Sequence, residues 1–500
     1  MSASVVTRHI VDIGDRTVHY RMAGKGFPVL LLHQSPRSSA DMIDLMTRWA
    51  PHFLCIAPDT PGFGDSAPLA GPVSLPRLSD ALAELIAALG LERVGLYGVH
   101  TGAILAVMTG VRHPDKVAAL AVNGYGAWTA AERRALGANY APPFKPQTCG
   151  AHLTWLWNRL ADQRLVFPWN DWAKGERLAW GEATPAELHV EALDFLRAGD
   201  GYRGGYLAAF EADAVLPTRL AVPTLLAASG LDPLSGHLQR LGDLPSNVEP
   251  RLVATWPDAE EACRAFLAAQ AGPVQAVQAT PSATHRFVTV RTPAFTGRLH
   301  VGVRPGDLRQ GGGAGTIRLH GPGESAATAL SAAGKPRIVV FAPDLPGHGL
   351  SDPLEAAAMT PGDYGRIVAQ VIAELGVEAR AGRLEVEGLS SVLAEAVQDA
   401  TGLQGALKPC SPPRALRRGD VLERWLPDLT PEPEGAHLLR AWTAVRRQAA
   451  FDPWYAPTPA HGRPLGDITT AGLAQRHLAL LQAPGAAALL SACVQAATRD

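Results

Sequence analysis

The sequence predicts an α/β fold laid down twice in tandem. Each unit is a mostly parallel sheet covered by helices, with a helical lid, and the second unit is truncated. Three observations carry this reading. Short, continuous apolar runs, fit for strands buried on both faces, alternate with stretches of helical periodicity. One strand–helix joint is a tight Gly-x-X-x-Gly turn, Gly98-Val99-His100-Thr101-Gly102. The second half of the chain then repeats segments of the first.

Bulk properties bound the answer. Five hundred residues exceed one hydrophobic core, so at least two globular units are expected. The chain is 47% hydrophobic and 18% charged, with a formal net charge of -2. That balance favours neither nucleic acid nor an anionic membrane surface as a partner. Cys55, Cys149, Cys263, Cys410 and Cys493 are scattered, odd in number and without metal-ligand spacing. Reduced thiols in a cytoplasmic protein are expected, with no metal and no cofactor. The stretch MSASVVTRHIVDIG has no apolar signal core, and no run approaches the roughly 20 apolar residues of a membrane helix.

The first unit is placed at residues 1–270. Thr7 to Tyr20 alternates around Gly14-Asp15 and reads as a hairpin. Val29–Leu32 is a buried strand that runs into a polar loop, His33-Gln34-Ser35-Pro36-Arg37-Ser38-Ser39. Phe53–Pro58 is the next strand. It ends in the turn Asp59 to Ser66, where Asp59 is expected to hold the turn by side-chain hydrogen bonds. Leu78, Leu82, Leu85, Ile86 and Leu89 fall at helical spacing, closed by Gly90. Val94–Tyr97 leads into the Gly-x-His-x-Gly turn and a small-residue helix, and Val117–Val122 is a further strand. Residues 127–215 are helical and aromatic, with Trp155, Trp157, Trp169, Trp172 and Trp180. Pro223–Ala228 is a strand ending at Ser229-Gly230-Leu231-Asp232. Pro250–Ala254 is expected as the last strand, joined by Thr255-Trp256-Pro257 to a helix over Asp258–Ala268.

The tight turn has the layout of a nucleophile elbow. Its central residue sits on a strained backbone, and the flanking glycines let strand and helix approach. With the His33-Gln34 loop, the Asp59 turn and the order of strands and helices, the first half resembles the α/β-hydrolase fold superfamily over roughly residues 5–270. The resemblance implies a lid at 127–215, an oxyanion loop at His33-Gln34 and a triad acid at Asp232. It also implies a serine at the elbow, where His100 stands, and a histidine after the last strand, where Thr255-Trp256-Pro257 stands. A Ser-His-Asp mechanism is therefore not available to this half. The expected catalytic pair is His100 with Asp232, and the expected oxyanion and substrate-binding residues are His33, Gln34, Val99, Thr101, His152, Trp157 and Trp169. For His152 and the tryptophans a core role competes with a pocket role.

The repeat defines the second unit. Leu319-His320-Gly321-Pro322 repeats Leu32-His33-Gln34-Ser35, Ala342-Pro343-Asp344 repeats Ala57-Pro58-Asp59, and Gly435-Ala436-His437-Leu438 repeats Gly150-Ala151-His152-Leu153. Residues 271–283 are then a linker and 284–500 a degenerate copy, with its lid near 412–500 and the final strands missing. Ser390 falls where His100 falls, but Val392 replaces the closing glycine, and a β-branched residue there spoils close packing. Gly311-Gly312-Gly313 reads as a flexible loop. The expected function is a small-molecule hydrolase or lyase in which His100 acts as general base. The alternative is a non-catalytic ligand-binding or scaffold protein of the same fold. The halves are expected to pack on each other, and a homodimer is compatible with the pattern.

Overall fold

The computed structural model describes residues 5–306, 315–331, 338–356, 358–378, 382–386, 388–405, 424–466 and 468–497. The Gly311–Gly313 run and Cys410 lie outside them. Cys55, Cys149, Cys263 and Cys493 are free thiols. The chain divides into two compact units, one of Met1–Lys145 with Trp155–Ser282, the other of Pro146–Thr154 with Ala283–Asp500.

In the first unit, β1 (Thr7–Ile13) and β2 (Arg16–Ala23) form the hairpin, turning at Gly14 with φ 61°. They lead to β3 (Pro28–Leu32), β4 (Leu54–Pro58), β5 (Val94–Val99) and β6 (Val117–Asn123). Helices α1 (Ile43–Trp49), α2 (Leu75–Ala88) and α3 (Thr101–Arg112) lie between them. An insertion follows β6, made of α4 (Ala130–Tyr140), α5 (Ala151–Leu165), the short hairpin β7 (Val166–Phe167) and β8 (Glu176–Arg177), α6 (Pro185–Ala198) and α7 (Tyr202–Phe210). The sheet is completed by β9 (Thr224–Ser229) and β10 (Val248–Val253), with α8 (Trp256–Ala269) behind them. The order is β1-β2-β4-β3-β5-β6-β9-β10, antiparallel across β1, β2 and β4 and parallel thereafter.

The period of two in β3 explains why its apolar run is unbroken. Leu30 and Leu32 join the core under α2 and α3, with Leu82, Leu85 and Ile104. Val29 and Leu31 join the opposite core under α1 and α8, with Met46, Trp49, Cys263 and Leu267. Each residue of a central parallel strand is thus buried on one face or the other.

The unit boundaries differ from the expectation at two places. Residues 271–282 are a strap on the first unit rather than a free linker. Gln275 accepts from Glu92 N–H and donates to the Arg93 carbonyl, Gln278 N–H donates to the Leu89 carbonyl, and Pro281 bridges to Val11. Ser282 donates to Asp12. Conversely, Pro146–Thr154 clusters with the second unit. There the Thr148 carbonyl accepts from Trp442 Nε1 at 3.0 Å, and the His152 ring meets Trp442 edge-on at 4.9 Å.

The second unit builds a sheet from β11 (His285–Arg291), β12 (Thr296–Arg304), β13 (Gly315–Leu319), β14 (Val340–Pro343), β15 (Gly382–Val386) and β16 (Gln404–Gly405). Its order, β11-β12-β14-β13-β15-β16, matches the first six strands of the first sheet. Helices α9 (Ala326–Ser331), α10 (Pro361–Leu375) and α11 (Ala394–Thr401) accompany it. Further helices span Ala436–Ala450, Thr470–Leu481 and Ala486–Ala497. Among the described residues no strand follows β16.

Turn chemistry is also repeated. Asp59 accepts from the N–H groups of Ser39 and Asp65 and pairs with His19 Nδ1 at 2.8 Å. Asp344 accepts from Ala326 and Leu350 N–H and pairs with His300 Nδ1 at 2.8 Å. Both aspartates are fully committed to backbone and imidazole, as buried carboxylates must be.

Candidate active site

The elbow is as tight as its glycines imply. A Cβ on Gly98 would lie 2.3 Å from the Gly102 carbonyl oxygen, and one on Gly102 would lie 2.3 Å from the Leu32 carbonyl oxygen. His100, between β5 and α3, has φ 47° and ψ -108°. Among the described residues it is the only non-glycine with positive φ. Such a conformation costs of order 1–3 kcal/mol and persists only where its surroundings impose it.

The strain delivers the imidazole to two partners. Nε2 lies 2.8 Å from Asp232 Oδ2, and Nδ1 lies 2.9 Å from Gln34 Oε1. Asp232 is buried, and its Oδ1 accepts from Leu234 N–H at 2.7 Å. The Gln34 amide is oriented by its nitrogen, which faces Asp41 Oδ2 at 3.4 Å. Both ring nitrogens therefore face oxygens, an arrangement that favours the protonated ring. Burial opposes that charge. The charge and hydrogen bond of Asp232, with Asp41 behind it, outweigh burial and raise the His100 pKa above 6.5. Burial likewise pushes Asp232 up, but His100 and the Leu234 N–H hold it below the usual carboxylate value. The two directions agree on an ion pair.

Two further residues shape the pair. A Cβ on Gly124, whose φ is +73°, would lie 2.5 Å from His100 Cδ2 and 2.7 Å from Asp232 Oδ2, so only glycine leaves room for the contact. Trp256 stands in the link that lacks a histidine, and its ring meets His100 edge-on at 5.8 Å.

His100 opens onto a cavity of about 110 Å³. The insertion after β6 supplies most of its wall, including Tyr140, Gln163, Arg164, Phe167, Glu191 and Tyr206. Of the residues expected from sequence, His100, Gln34 and Thr101 line the cavity, and Asp232 stands behind His100. Thr101 Oγ1 accepts from Ser35 N–H at 2.7 Å, pinning the loop against α3.

The other expected residues are placed elsewhere. His33 is buried with its ring turned away: Nδ1 donates to the Gln34 carbonyl, and Nε2 accepts from Thr60 N–H at 3.0 Å. Val99 is a buried β5 residue paired with Asn123. His152 accepts from Gln147 N–H and packs on Trp442 in the second unit, and burial lowers its pKa to about 4. Trp157 is buried outside the cavity wall. Trp169 donates to the Tyr140 carbonyl and lies under the Arg159 guanidinium, one layer behind the wall. For the tryptophans the cause is packing: the aromatic residues of the insertion pack on one another, as Trp155, Trp169 and Phe195 do, before any faces a ligand.

Sequence reasoning missed Ser35, Gln163, Arg164, Glu191, Tyr206 and Gly124. Only the last had a local signal, a glycine directly after a strand. Among the described residues His19, Asp59 and Asp65 lie within metal-chelating reach of one another, but the Asp59 oxygens are already taken by His19 and the two backbone N–H groups. In the second unit Ser390 is fully buried in a 3₁₀ turn, Gly388–Leu393, and its backbone lacks the positive φ of an elbow.

Residues 28–140, which hold β3 to β6, the elbow and α4, match the family model described as alpha/beta hydrolase fold. The first unit has the alpha/beta hydrolase fold. The chain is 35% identical over 102 residues to a soluble epoxide hydrolase of a Corynebacterium species, covering 20% of this chain and 35% of that protein. It is 32% identical over 123 residues to an (E)-2-((N-methylformamido)methylene)succinate hydrolase of Acinetobacter baylyi, covering 24% and 47%. The chain thus spans less than half the length of these curated relatives. Among solved structures, epoxide hydrolase A of Mycobacterium thermoresistibile is similar with a TM-score of 0.43 and 18% identity, over 53% of this chain and 98% of that one. In the first unit, the turn residue His100 and the acid Asp232 touch each other directly.

Proposed function

We propose that the protein is a small-molecule hydrolase of the alpha/beta hydrolase superfamily, with one working site in the first unit. His100 and Asp232 there replace a serine-based triad. The observation that carries this reading is the 2.8 Å contact between His100 Nε2 and Asp232 Oδ2 at the floor of a cavity. The hydrolases to which part of this chain is similar support the reaction class.

In this mechanism the imidazolium first loses the proton on Nδ1 and Gln34 Oε1 moves aside. Nδ1 then accepts a proton from water as the water oxygen attacks the ester carbonyl carbon and the carbonyl electrons move to its oxygen. Collapse of this tetrahedral intermediate breaks the bond to the alcohol oxygen, which leaves with the proton returned from Nδ1. Nε2–H stays on Asp232, which fixes the ring and stabilises the imidazolium that re-forms. Imidazole acts as base only when deprotonated, so activity rises with pH through one ionisation whose midpoint lies above 6.5, the ordinary histidine value, in keeping with the raised pKa.

A second reading, a ligand-binding site without turnover, is favoured by one observation: both ring nitrogens are already engaged, by Asp232 and by Gln34. A panel of chromogenic esters, run on wild type and His100→Ala, separates the two. General base catalysis contributes about 10²–10⁴-fold, so His100→Ala should lose that much. Full turnover in His100→Ala, or none in wild type, sinks the hydrolase mechanism.

We also infer that the second unit is a degenerate copy of the first, its lid formed by the helices Ala436–Ala450, Thr470–Leu481 and Ala486–Ala497. The matched strand order, the paired Asp59 and Asp344 turns, and the equal 15-residue helices Ala151–Leu165 and Ala436–Ala450 support this.

A further inference from the structure

The polar groups around the cavity are unequally used. Their side-chain acceptors are mostly spent. Gln34 Oε1 is taken by His100 Nδ1, Gln163 Oε1 accepts from Arg159 at 2.8 Å, and Ser35 Oγ accepts from Thr101 Oγ1 at 3.1 Å. The Tyr206 hydroxyl gives its proton to the Ser35 carbonyl.

Donors remain. With its oxygen held by Arg159, the Gln163 amide keeps its NH₂ group for the cavity. The Ser35 hydroxyl proton has no acceptor among the hydrogen bonds of the described residues. Among the described residues Arg164 has only Glu191 Oε1, at 3.7 Å, and its Nε has no partner. Glu191 is the one carboxylate on the wall. Its Oε1 is shared between Arg164 and Arg37, while Oε2 is sealed from solvent without a partner.

Behind this wall Arg159 is 1% exposed and stacks on Trp169, Phe195, Tyr202 and Tyr206 at 5.1–5.8 Å. No carboxylate pairs with it among the described residues. A buried cation balanced only by ring faces, a phenol and an amide polarises that amide toward donating.

We infer that the cavity takes a small organic anion, a one-ring carboxylate. Its oxygens are held by the Gln163 amide, Arg164 and the Ser35 hydroxyl, and its apolar body lies against Trp128, Phe167 and Phe210. The volume of about 110 Å³, below the roughly 150 Å³ of an apolar cavity that holds benzene, sets one ring as the upper limit for the anion. The inference deepens the proposed function and rests on this cavity being the working site.

Benzoate, benzamide and benzamidinium share one shape and differ in charge and donor count. Calorimetric titration of the full chain with each is the test. Charge-assisted hydrogen bonds are the strong ones, so benzoate should bind at least about tenfold more tightly than benzamide, with benzamidinium weakest. Arg164→Met should bring benzoate to the level of benzamide and leave benzamide unchanged. Gln163→Glu is the second variant: it should abolish benzoate binding and admit benzamidinium, with retained benzamide binding showing an intact cavity. Benzamidinium binding as tightly as benzoate to wild type would make Glu191 the anchor and overturn the inference. Binding by none of the three overturns it as well. Benzoate binding without ester turnover leaves the inference standing and removes the hydrolase reading. Turnover combined with a preference for benzamidinium does the reverse.

Discussion

Each nitrogen of His100 ends on an oxygen, which favours the protonated ring and makes its titration measurable. Nitrogen chemical shifts should report both ring nitrogens protonated, with a pKa above 6.5. Gln34→Leu removes the acceptor at Nδ1 and should lower that pKa, because the hydrogen bond favours the charged form. The pair also links stability to pH. The His100 pKa is raised, so its contribution is full below 6.5 and is lost as pH rises through the folded value. The Asp232 pKa is lowered, so its contribution is full above 3.8 and is lost as pH falls through the folded value. The stability gap between wild type and Asp232→Asn, read from denaturant titrations, should be widest between those limits. Gly124→Ala should drive a methyl between the partners. Overpacking of this kind costs typically about 1–3 kcal/mol, and the His100 pKa should fall back toward its ordinary value as the contact opens. An unchanged pKa in Gly124→Ala would mean the pair tolerates the wedge.

At the scale of elements, the elbow was legible because its physics is local. Two glycines four residues apart announce a close strand–helix joint whatever lies between them. The central strands were legible for a similar reason, since burial on both faces leaves an unbroken apolar run. The cavity wall was not. Gln163, Arg164, Glu191 and Tyr206 come from three helices of the insertion, and their convergence is a product of packing, with no fixed spacing in the chain. His33 misled because its position in the loop matches an oxyanion role while its ring serves the Asp59 turn. The 271–282 strap was hidden because its bonds run to residues 182 to 270 positions away. Gln275→Ala removes two of those bonds and should lower the stability of the first unit by about 1 kcal/mol, measurable as a fall in Tm.

At the scale of the molecule, two sheets share the order of six strands, but among the described residues only the first carries a strained turn with an acid beside it and a cavity above it. The matching turns could be read from sequence because turns keep their polar residues, as Asp59 and Asp344 do. Ser390 is fully buried, so a fluorophosphonate probe should leave the native protein unlabelled there. Stoichiometric labelling of Ser390 would move the chemistry to the second unit. His100→Ser should also stay unlabelled, because Trp256 occupies the place from which a histidine would activate it.

The positive φ of His100 sets durability against chemistry at one position. Alanine and glycine there both lose the ion pair and both leave Asp232 without its cation, so they differ mainly in backbone. Glycine adopts this conformation freely and alanine does not, a difference of about 1 kcal/mol. His100→Gly should therefore melt higher than His100→Ala, although neither turns over substrate. Selection for thermal resistance alone would accept glycine at the elbow and discard the imidazole, so a heat-selected library without an activity screen should drift toward inert protein at this residue first.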